Sequence, residues 1–352
     1  MKQVVLAIDG GNVKTDVALL SVDGCVLSLI RGGTSSPHQL GYDGSVAMVS
    51  QLISQACAEA GIGPEASGVV SGQRAGDDGH AVEPAIEIAH VLLAGADLPE
   101  EVALIERGLG DLGWTTRLMV ENDTLALLRT GTSAGWGVAV VCGGGINAVG
   151  IAPDGSMLRF PALTAITGDW GGGHDVGIAA LGAANRSADG RGPSTTLEQA
   201  VPRYFNMDTP LDVARAVHFK ELSFVELAEL SRVVYEQAEV DRVSHSIMER
   251  LADEISALAC AALTRLEICD LECDVVLGGG QVRAAPRWML ERVESAVHAT
   301  APAAQILITH EGPIIGAALL GLDAVGSGPE AITRARTQLH EAVTALSREP
   351  VA

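Results

Sequence analysis

Two glycine-rich segments, each directly after an apolar run, are the first candidates for chemistry in this sequence. One runs from Asp9 to Asp16 (Asp-Gly-Gly-Asn-Val-Lys-Thr-Asp) and the other from Cys142 to Asn147 (Cys-Gly-Gly-Gly-Ile-Asn). Consecutive glycines let backbone N–H groups point into one concavity, which suits phosphate oxygens. The segments therefore predict two phosphate-binding turns, with plain tight turns or close glycine packing as the alternatives.

Side chains of the first segment add a metal ligand and a cation to this chemistry. Asp9, at the end of the apolar run Val4–Ile8, is expected to hold Mg²⁺, since this ion keeps several waters and takes few carboxylates. Lys14 or Thr15 would reach a phosphate. The expected nucleotide contacts of the two turns are Gly10, Gly11, Asn12, Val13, Lys14, Thr15, Gly143, Gly144, Gly145 and Asn147.

A third glycine turn follows the apolar run Cys273–Leu277 and precedes residues with helical spacing. The order strand, turn and helix would place the ribose and adenine of a nucleotide over a helix N-terminus. An ordinary loop between a strand and a helix has the same composition. The expected contacts of this turn are Gly278, Gly279, Gly280 and Gln281.

Two acidic segments offer groups for proton transfer and for binding hydroxyls. Asp123 ends the run Glu121-Asn122-Asp123 at the end of a predicted strand, and it would accept a hydroxyl proton. The alternative is that Asn122 or Asp123 only caps the following helix. Asp169, flanked by glycines in Gly168–Gly173, would bind substrate hydroxyls or would lie in a plain turn.

The elements that must position these residues repeat along the chain. The first half opens as strand, glycine turn, strand, Asp23-Gly24 turn and strand, and Asp-Gly between apolar runs is a strong hairpin signal. The same order returns from Gly137 through Asp154-Gly155. This spacing favours an internal duplication of one supersecondary unit, the alternative being two unrelated hairpins. Helical spacing dominates the rest, most clearly from Ile247 to Leu266.

Composition limits the class of the protein and of its partners. The 352 residues are 47% hydrophobic and 19% charged, a globular composition with length for two domains. A net charge of −21 makes nucleic acid and anionic membranes poor partners, and every apolar run is too short to span a bilayer. The six cysteines form no CxxC pair, which indicates reduced thiols and a cytoplasmic location. Among nine histidines, His38 and His174 are expected near a site.

Taken in order, these segments resemble the amino-sugar kinase branch of the BadF/BadG/BcrA/BcrD ATPase family. The resemblance runs from Ile8 to Gly321, and it is specific because the motifs keep their order and spacing. The motifs are the phosphate-1 turn at 9–16, Ala94–Pro99, Glu121–Asp123, the phosphate-2 turn at 142–147, Gly168–Gly173, Asp189–Pro193, the adenosine turn at 277–280 and Gly312–Ala318.

The resemblance implies an α/β protein of two RNase H-like domains, as in actin-like ATPases and sugar kinases, with a cleft between them. The expected domains are 1–122, rejoined by a C-terminal helix at about 328–348, and 123–327. ATP, Mg²⁺, a sugar beside the ATP and a homodimer are further implications. By motif position Asp123 is the expected catalytic base. The expected substrate contacts are Ser36, His38, Asn122, Asp123, Asp169, His174 and Asp175.

The chain departs from the family pattern at three places. Asn12-Val13 replaces the usual third Gly or Thr of the phosphate-1 turn, and Cys142, Gly144 and Ile146 replace common hydroxyl-bearing residues of the phosphate-2 turn. These changes put side-chain contacts to phosphate in doubt and leave backbone contacts intact. Trp170-Gly171-Gly172 replaces a frequent Glu-Gly-Ser, a form that looks most like actinobacterial kinases of glucosamine or N-acetylglucosamine.

The first functional hypothesis is ATP-dependent phosphorylation of the 6-hydroxyl of glucosamine, with Asp123 as general base. An acidic protein would attract the partly protonated amine of this sugar. N-acetylglucosamine kinase activity is the second hypothesis. The further alternatives are an activator ATPase with a cysteine-held iron–sulfur cluster at a dimer interface, and a sugar-sensing protein without catalysis.

Overall fold

A computed structural model of the chain describes residues 3–62 and 86–346. The chain forms two compact units, the first made of the described residues up to Ser133 and from Glu311 onward, the second of Ala134–His310. These units differ from the expected domains at both boundaries. Residues 123–133 and 311–327, expected in the second domain, belong to the first unit. The cleft implied between the two halves stays a prediction. In the described part of the chain, no helix is long and apolar enough to cross a membrane.

The first unit is built on a five-stranded sheet with the order β3-β2-β1-β4-β5. β1 to β3 form an antiparallel meander, while β4 and β5 run parallel to β1. The first two strands are buried along their whole length, in agreement with their continuous apolar runs. The strands are β1 (Val4–Gly10), β2 (Thr15–Ser21), β3 (Val26–Gly32), β4 (Ile86–Leu93) and β5 (Thr115–Asn122).

Helices cover both faces of this sheet. They are α1 (Pro37–Glu59), α2 (Pro99–Gly110), α3 (Thr124–Gly131), α12 (Pro313–Ala324) and α13 (Pro329–Leu346). Alternate residues of β1 point to opposite faces. Leu6 and Ile8 pack in one core cluster with residues of α1 and α2, whereas Val5 packs in another with residues of α12 and α13. The last two residues of the expected C-terminal helix, 347 and 348, lie outside the described residues.

One close helix contact fixes the position of α3. Gly316 of α12 approaches the backbone of Ala126 of α3 so closely that a methyl group at 316 would overlap it. Only glycine permits this approach, because any Cβ would force the helices apart. The position of α3 is important for the site, because this helix begins immediately after Asp123.

The second unit repeats the topology of the first, with the sheet order β10-β9-β6-β7-β8. β6 to β8 form an antiparallel meander, and β9 and β10 continue parallel to β6. Counted from the meander, both sheets have the order 3-2-1-4-5, so the predicted duplication and the RNase H-like fold class are confirmed. The strands are β6 (Gly137–Cys142), β7 (Ile146–Ile151), β8 (Met157–Arg159), β9 (Asp274–Gly278) and β10 (Gln305–Ile308).

Helices supply most of the core around the second sheet. The long helix predicted from apolar spacing is α9, where Leu251, Ile255 and Ala259 are buried against the sheet residues Val138 and Val140. The helices of this unit are α4 (Gly172–Ala188), α5 (Leu197–Tyr204), α6 (Pro210–His218), α7 (Phe224–Ala228), α8 (Leu230–Gln237), α9 (Arg242–Arg265), α10 (Gly280–Ala284) and α11 (Arg287–Thr300).

Candidate active site

The candidate site of the first unit lies where the chain leaves its strands. Because β1, β4 and β5 are parallel, their carboxyl ends meet at one edge of the sheet. Gly10 pairs there with Leu93, and Leu93 pairs with Asn122. Thr15 pairs with both Gly10 and Gly32, so the phosphate-1 turn and the end of β3 reach the same edge. Four segments that are distant in sequence therefore lie side by side. They are the phosphate-1 turn, the segment after β3, the segment Ala94–Pro99 and the segment Glu121–Asp123.

Hydrogen bonds fix the shape of the phosphate-1 turn. The Gly11 N–H donates to the carbonyl of Lys14 at 2.8 Å, which closes the turn. The Thr34 hydroxyl donates to the Gly11 carbonyl at 3.0 Å, and Nε2 of Gln39 donates to the carbonyl of Asn12 at 2.7 Å. The turn is thus held by its own backbone, by the segment that leads into α1 and by the first turn of α1.

A buried pair of hydroxyl groups also joins the end of the phosphate-1 turn to the segment before α1. The Thr15 hydroxyl lies 2.8 Å from the Ser35 hydroxyl, and the Ser45 hydroxyl donates to the Ser35 carbonyl at 2.6 Å. A methyl group on Gly10 would overlap Leu93 and Ser35. Thr15, predicted to contact phosphate, is fully buried and serves this internal contact.

Lys14 stands at the opening of the turn and is held by a carboxylate. Asp16 is fully buried and accepts from Nε and Nη2 of Arg31 at 2.6 and 3.0 Å. The Lys14 ammonium also pairs with Asp16, while the Lys14 side chain stays 40% exposed. One buried carboxylate thus orients a cation whose other donors are accessible to an anion.

Two carboxylates beside the turn carry perturbed pKa values. Burial raises the pKa of Asp9 to about 7, Lys14 lowers it, and the neighbouring Asp123 raises it further. Burial likewise raises the pKa of Asp123 to about 6, against the effect of backbone N–H groups that lower it. A divalent cation fits Asp9, because it would replace the proton that this desolvated carboxylate otherwise attracts.

Asp123 occupies the N-cap position of α3 but makes no capping hydrogen bond with its side chain. Asn122 accepts the helix donors instead, from the Thr124 N–H at 3.0 Å and the Thr124 hydroxyl at 2.7 Å. Its Nδ2 donates to Oδ1 of Asp97 at 2.7 Å. Asn122, predicted to contact substrate, therefore has both ends of its amide engaged within the protein.

The motif Ala94–Pro99 connects these residues to α1. Both Asp97 and Leu98 donate backbone N–H groups to Oε2 of Glu101, at 3.0 and 2.9 Å. Oε1 of Glu101 lies 3.4 Å from Nε2 of His38 and 3.4 Å from the Tyr42 hydroxyl. Ligand atoms of His38, Asp97 and Glu101 come within 4.8 Å of one another, although the oxygens of Glu101 already have these partners. His38 is exposed, and Ser36 is fully buried.

The phosphate-2 turn of the second unit is held by the start of α4. The N–H groups of Gly173 and His174 donate to the carbonyls of Gly143 and Gly144, at 2.8 and 3.0 Å. The outer side of the turn is open, since a methyl group on Gly143, Gly144 or Gly145 would meet no atom within 4 Å. The predicted turn therefore presents an accessible backbone on a fixed base.

Two glycines make this packing possible. Gly172 has φ +78°, and a Cβ there would lie 2.5 Å from the Gly144 carbonyl oxygen and from Cα of Gly145. Gly279 has φ +97°, and a Cβ there would overlap the backbone of Cys142. Both residues combine a left-handed backbone with a contact that only glycine permits. The phosphate-2 and adenosine turns therefore lie in direct contact at one edge of the second sheet.

The acidic residues of the second unit are held by local contacts. The Thr167 hydroxyl bonds the carboxylate of Asp169, which is half-buried. Oδ2 of Asp175 accepts from the Gly171 N–H at 2.8 Å, which fixes the first turn of α4. The Arg250 guanidinium stacks 4.0 Å from the ring centre of Trp170, a cation–π contact beside Asp169.

Gln281 anchors the adenosine turn. Its side-chain Nε2 donates to the Ser231 hydroxyl at 3.1 Å, and its backbone carbonyl accepts from the Tyr235 hydroxyl at 2.9 Å. Its Oε1 is buried and has no hydrogen-bond partner among the described residues. The side chain therefore links α10 to α8 and retains one acceptor.

The sequence pattern of the BadF/BadG/BcrA/BcrD ATPase family matches residues 6–321 of this chain. The chain belongs to this family. The match spans the chain from the phosphate-1 turn to the segment Gly312–Ala318.

Individual relatives agree with the family assignment. The N-acetylmuramic acid/N-acetylglucosamine kinase of Clostridium acetobutylicum is 26% identical over 279 residues, 79% of this chain and 85% of the relative. The N-acetyl-D-glucosamine kinase of Dictyostelium discoideum is 25% identical over 327 residues, 92% of this chain and 98% of the relative. A solved structure from Chromobacterium violaceum matches with a TM-score of 0.66 at 21% identity, covering 91% of this chain and 99% of that one, and has the same fold.

Several residues of this family member's site have roles that the sequence pattern did not assign. Asp16 and Arg31 hold Lys14, and Asp97 and Glu101 hold Asn122 and the start of α2. Asp97 lies in a recognised motif, but its partner is far away in sequence. The available signal was a carboxylate within the motif Ala94–Pro99, which does not identify the group it binds.

Proposed function

We propose that this chain is a Mg²⁺- and ATP-dependent kinase that transfers the γ-phosphate of ATP to the 6-hydroxyl of an amino sugar. The main support is the pair Asp9 and Asp123, two carboxylates with raised pKa values beside a glycine turn. A base, a cation ligand and a phosphate turn at one sheet edge are the parts that phosphoryl transfer requires. The kinase names of the two relatives support the same activity.

In the proposed reaction Asp123 accepts the proton of the sugar 6-hydroxyl. The oxygen forms a bond to the γ-phosphorus, the bond from that phosphorus to the bridging oxygen breaks, and ADP leaves with the electron pair. Lys14, oriented by Asp16, neutralises charge on the phosphates. General-base assistance of this kind contributes about 10²- to 10⁴-fold to the rate.

The remaining predicted contacts divide between nucleotide and sugar. Asp9 would hold Mg²⁺, which would neutralise the phosphate oxygens when bound. The backbone at Gly10–Lys14 and at Gly143–Gly145 would bind phosphates, with Asn147 beside them. Residues 278–281 would bind the nucleoside. The proposed sugar contacts are Ser36, His38, Asp123, Asp169, His174 and Asp175.

We propose glucosamine as the preferred sugar. Asp97, Glu101 and Asp123 lie in neighbouring segments of the sheet edge, and their combined negative charge favours a protonated amine. Glu121, in the same strand end, lies 2.7 Å from Nε2 of the buried His90. N-acetylglucosamine is the second candidate, favoured by the substrates named for both relatives. A neutral acetamido group gains nothing from those charges.

A coupled assay of ADP formation tests this proposal. Purified protein with Mg²⁺ and ATP is offered glucosamine, N-acetylglucosamine, glucose, mannosamine or no sugar. We expect turnover with the amino sugars, fastest with glucosamine, and identification of the 6-phosphate by NMR. Turnover that is fastest with N-acetylglucosamine selects the second candidate, and no turnover with any sugar overturns the kinase proposal.

The same assay addresses the activator hypothesis for this family member. All six cysteines lie in the described part of the chain and are free thiols, and Cys57, Cys142 and Cys273 are buried. Burial raises the pKa of Cys57 to about 11 and that of Cys142 to about 12, so neither is a ready thiolate. A brown protein that hydrolyses ATP without sugar would support an activator; a colourless, sugar-dependent enzyme would support the kinase.

A further inference from the structure

We propose that Asn122 is a positioning residue that caps α3 in place of Asp123, so that the Asp123 carboxylate stays available for proton transfer. Asp97 is its anchor. This inference rests on the proposed kinase function, because it assigns a task to the neighbour of the proposed base. It assigns Asn122 a structural task that its expected substrate contact does not include.

Every polar atom of the Asn122 side chain is committed within the protein. The residue is 3% exposed. Its Oδ1 accepts from the Thr124 N–H at 3.0 Å and from the Thr124 hydroxyl at 2.7 Å, and its Nδ2 donates to Asp97 at 2.7 Å. Both lone pairs of Oδ1 are therefore occupied, and one of the two N–H groups of Nδ2 is held by Asp97.

Asp123 occupies the N-cap position of α3, but its side chain does not cap the helix. Aspartate at this position ordinarily accepts a hydrogen bond from the backbone of the first turn. The Asp123 side chain makes no capping hydrogen bond, although the N–H groups of Asp123 and Thr124 lie close enough to lower its pKa. Its backbone is already helical at φ −63° and ψ −19°. The acceptor that the first helical residue needs comes from Asn122, one position earlier. Capping and proton transfer are therefore carried by two adjacent side chains.

Asp97 fixes the amide of Asn122 in this orientation. The backbone N–H of Asp97 donates to Oε2 of Glu101 at 3.0 Å, within the first turn of α2. Oδ1 of Asp97 then receives Nδ2 of Asn122. An amide flipped by half a turn would set its oxygen against Asp97 and its NH₂ against Thr124, so the carboxylate permits only one orientation. The start of α2 thereby determines how the start of α3 is capped.

The test is a reciprocal exchange of the two side chains. Asn122→Asp keeps acceptors for Thr124 but sets a carboxylate against Asp97, and we expect kcat to fall about 100-fold, as for misplaced catalytic groups. Asp97→Asn alone should cost less, because its amide oxygen still accepts from Asn122. The double variant Asp97→Asn/Asn122→Asp restores one donor and one acceptor, and should recover kcat to within about tenfold of wild type.

A pair of buried threonines provides the matched control. Thr124→Val removes one donor to Asn122, whereas Thr130→Val removes a buried hydroxyl in the same helix that donates to the Leu127 carbonyl at 2.8 Å. We expect kcat to fall about fivefold in the first variant and to stay unchanged in the second. Equal losses of kcat and melting temperature in both variants would mean that only helix stability is involved, and would overturn the proposal.

The outcomes separate this inference from the kinase proposal. Wild-type turnover with an amino sugar establishes the kinase, whatever the variants do. Given that turnover, a fully active Asn122→Asp variant, or a folded double variant without recovery, overturns the positioning role. Selective loss of glucosamine turnover in Asp97→Asn, with N-acetylglucosamine turnover kept, would also overturn it by making Asp97 a substrate ligand. Should Asn122→Asp fail to fold, the double variant and the threonine pair still decide.

Discussion

Carboxylates whose pKa values are raised by desolvation dominate the chemistry of this chain at the scale of single residues. An isolated carboxylate in a low-dielectric site is stabilised by a proton or by a cation. Asp9 and Asp123 show this effect together, with pKa values of about 7 and about 6. A kinase uses both states of such a pair, since a cation binds one carboxylate while the other takes a proton.

Replacement of Asp123 tests its role as the base. We expect Asp123→Asn to lower kcat at least ~100-fold with little change in the KM for either substrate, because general-base assistance acts in the transition state. Steady-state kinetics of the wild type and of this variant, below the melting temperature of each, provides the measurement. A fully active variant would leave Asp123 without a catalytic role.

The pH dependence of wild-type activity follows from the same group. The base must be ionised, and the raised pKa of Asp123 is about 6. We therefore expect kcat/KM to fall tenfold per pH unit as the pH drops below about 6, where the carboxylate becomes protonated. A profile that stays flat down to about pH 4, where an ordinary aspartate titrates, would contradict this assignment.

Replacement of Asp9 tests the cation site through stability. The native pKa of about 7 exceeds the unfolded value, so the native state binds the proton more tightly and stability falls as the pH rises toward 7. An asparagine at position 9 does not ionise, so the variant does not lose stability as the pH rises. Without metal at about pH 8, Asp9→Asn should melt several degrees above wild type, and at about pH 4 the difference should become small. Mg²⁺ should raise the melting temperature of wild type only. An equal rise in the variant would place the ion elsewhere.

At the scale of elements, glycine contacts determine how the turns are seated. Gly172→Ala would drive a methyl group into the phosphate-2 turn at a residue with φ +78°. We expect a loss of about 1–3 kcal/mol in unfolding free energy and a raised KM for ATP. Gly182→Ala is the control in the same helix, because its methyl group meets nothing within 4 Å. It should stabilise the protein by about 0.5–1 kcal/mol. Equal effects of the two substitutions would contradict the contact argument.

Sequence patterning anticipated those elements whose residues carry a local signal. The meander of β1 to β3 and its repeat follow from apolar runs separated by glycine turns, and α9 follows from its apolar spacing. β4 was missed, because Glu87 and His90 interrupt its apolar run and its burial depends on the neighbouring strands. The hydrogen bond between Asn122 and Asp97 was missed for a related reason. It depends on the parallel register of β4 and β5, which no local pattern encodes.

At the scale of the whole molecule, one topological unit occurs twice with different loops. The two sheets share a strand order, yet the first carries Asp9 and Asp123 at its edge while the second carries three adjacent glycines and the adenosine turn. Duplication explains why both halves present a glycine turn after the first strand. Divergence of the loops, and not of the sheets, explains why the first half carries Asp123, the proposed base, while the second carries an open glycine backbone. The homodimer stays a prediction.

The net charge of −21 predicts a dependence of sugar preference on ionic strength. Glucosamine is partly protonated at about pH 7 and is attracted by the field of the protein, whereas N-acetylglucosamine is neutral. Raising KCl from about 0.02 to about 0.3 M shortens the screening length severalfold. We expect the ratio of kcat/KM for glucosamine to that for N-acetylglucosamine to fall about two- to fivefold. Effects of salt on ATP binding cancel in this ratio, because both sugars share the nucleotide. A ratio that is constant or rises with salt would show that charge does not select the amine, and glucosamine would lose its physical advantage over its acetylated form.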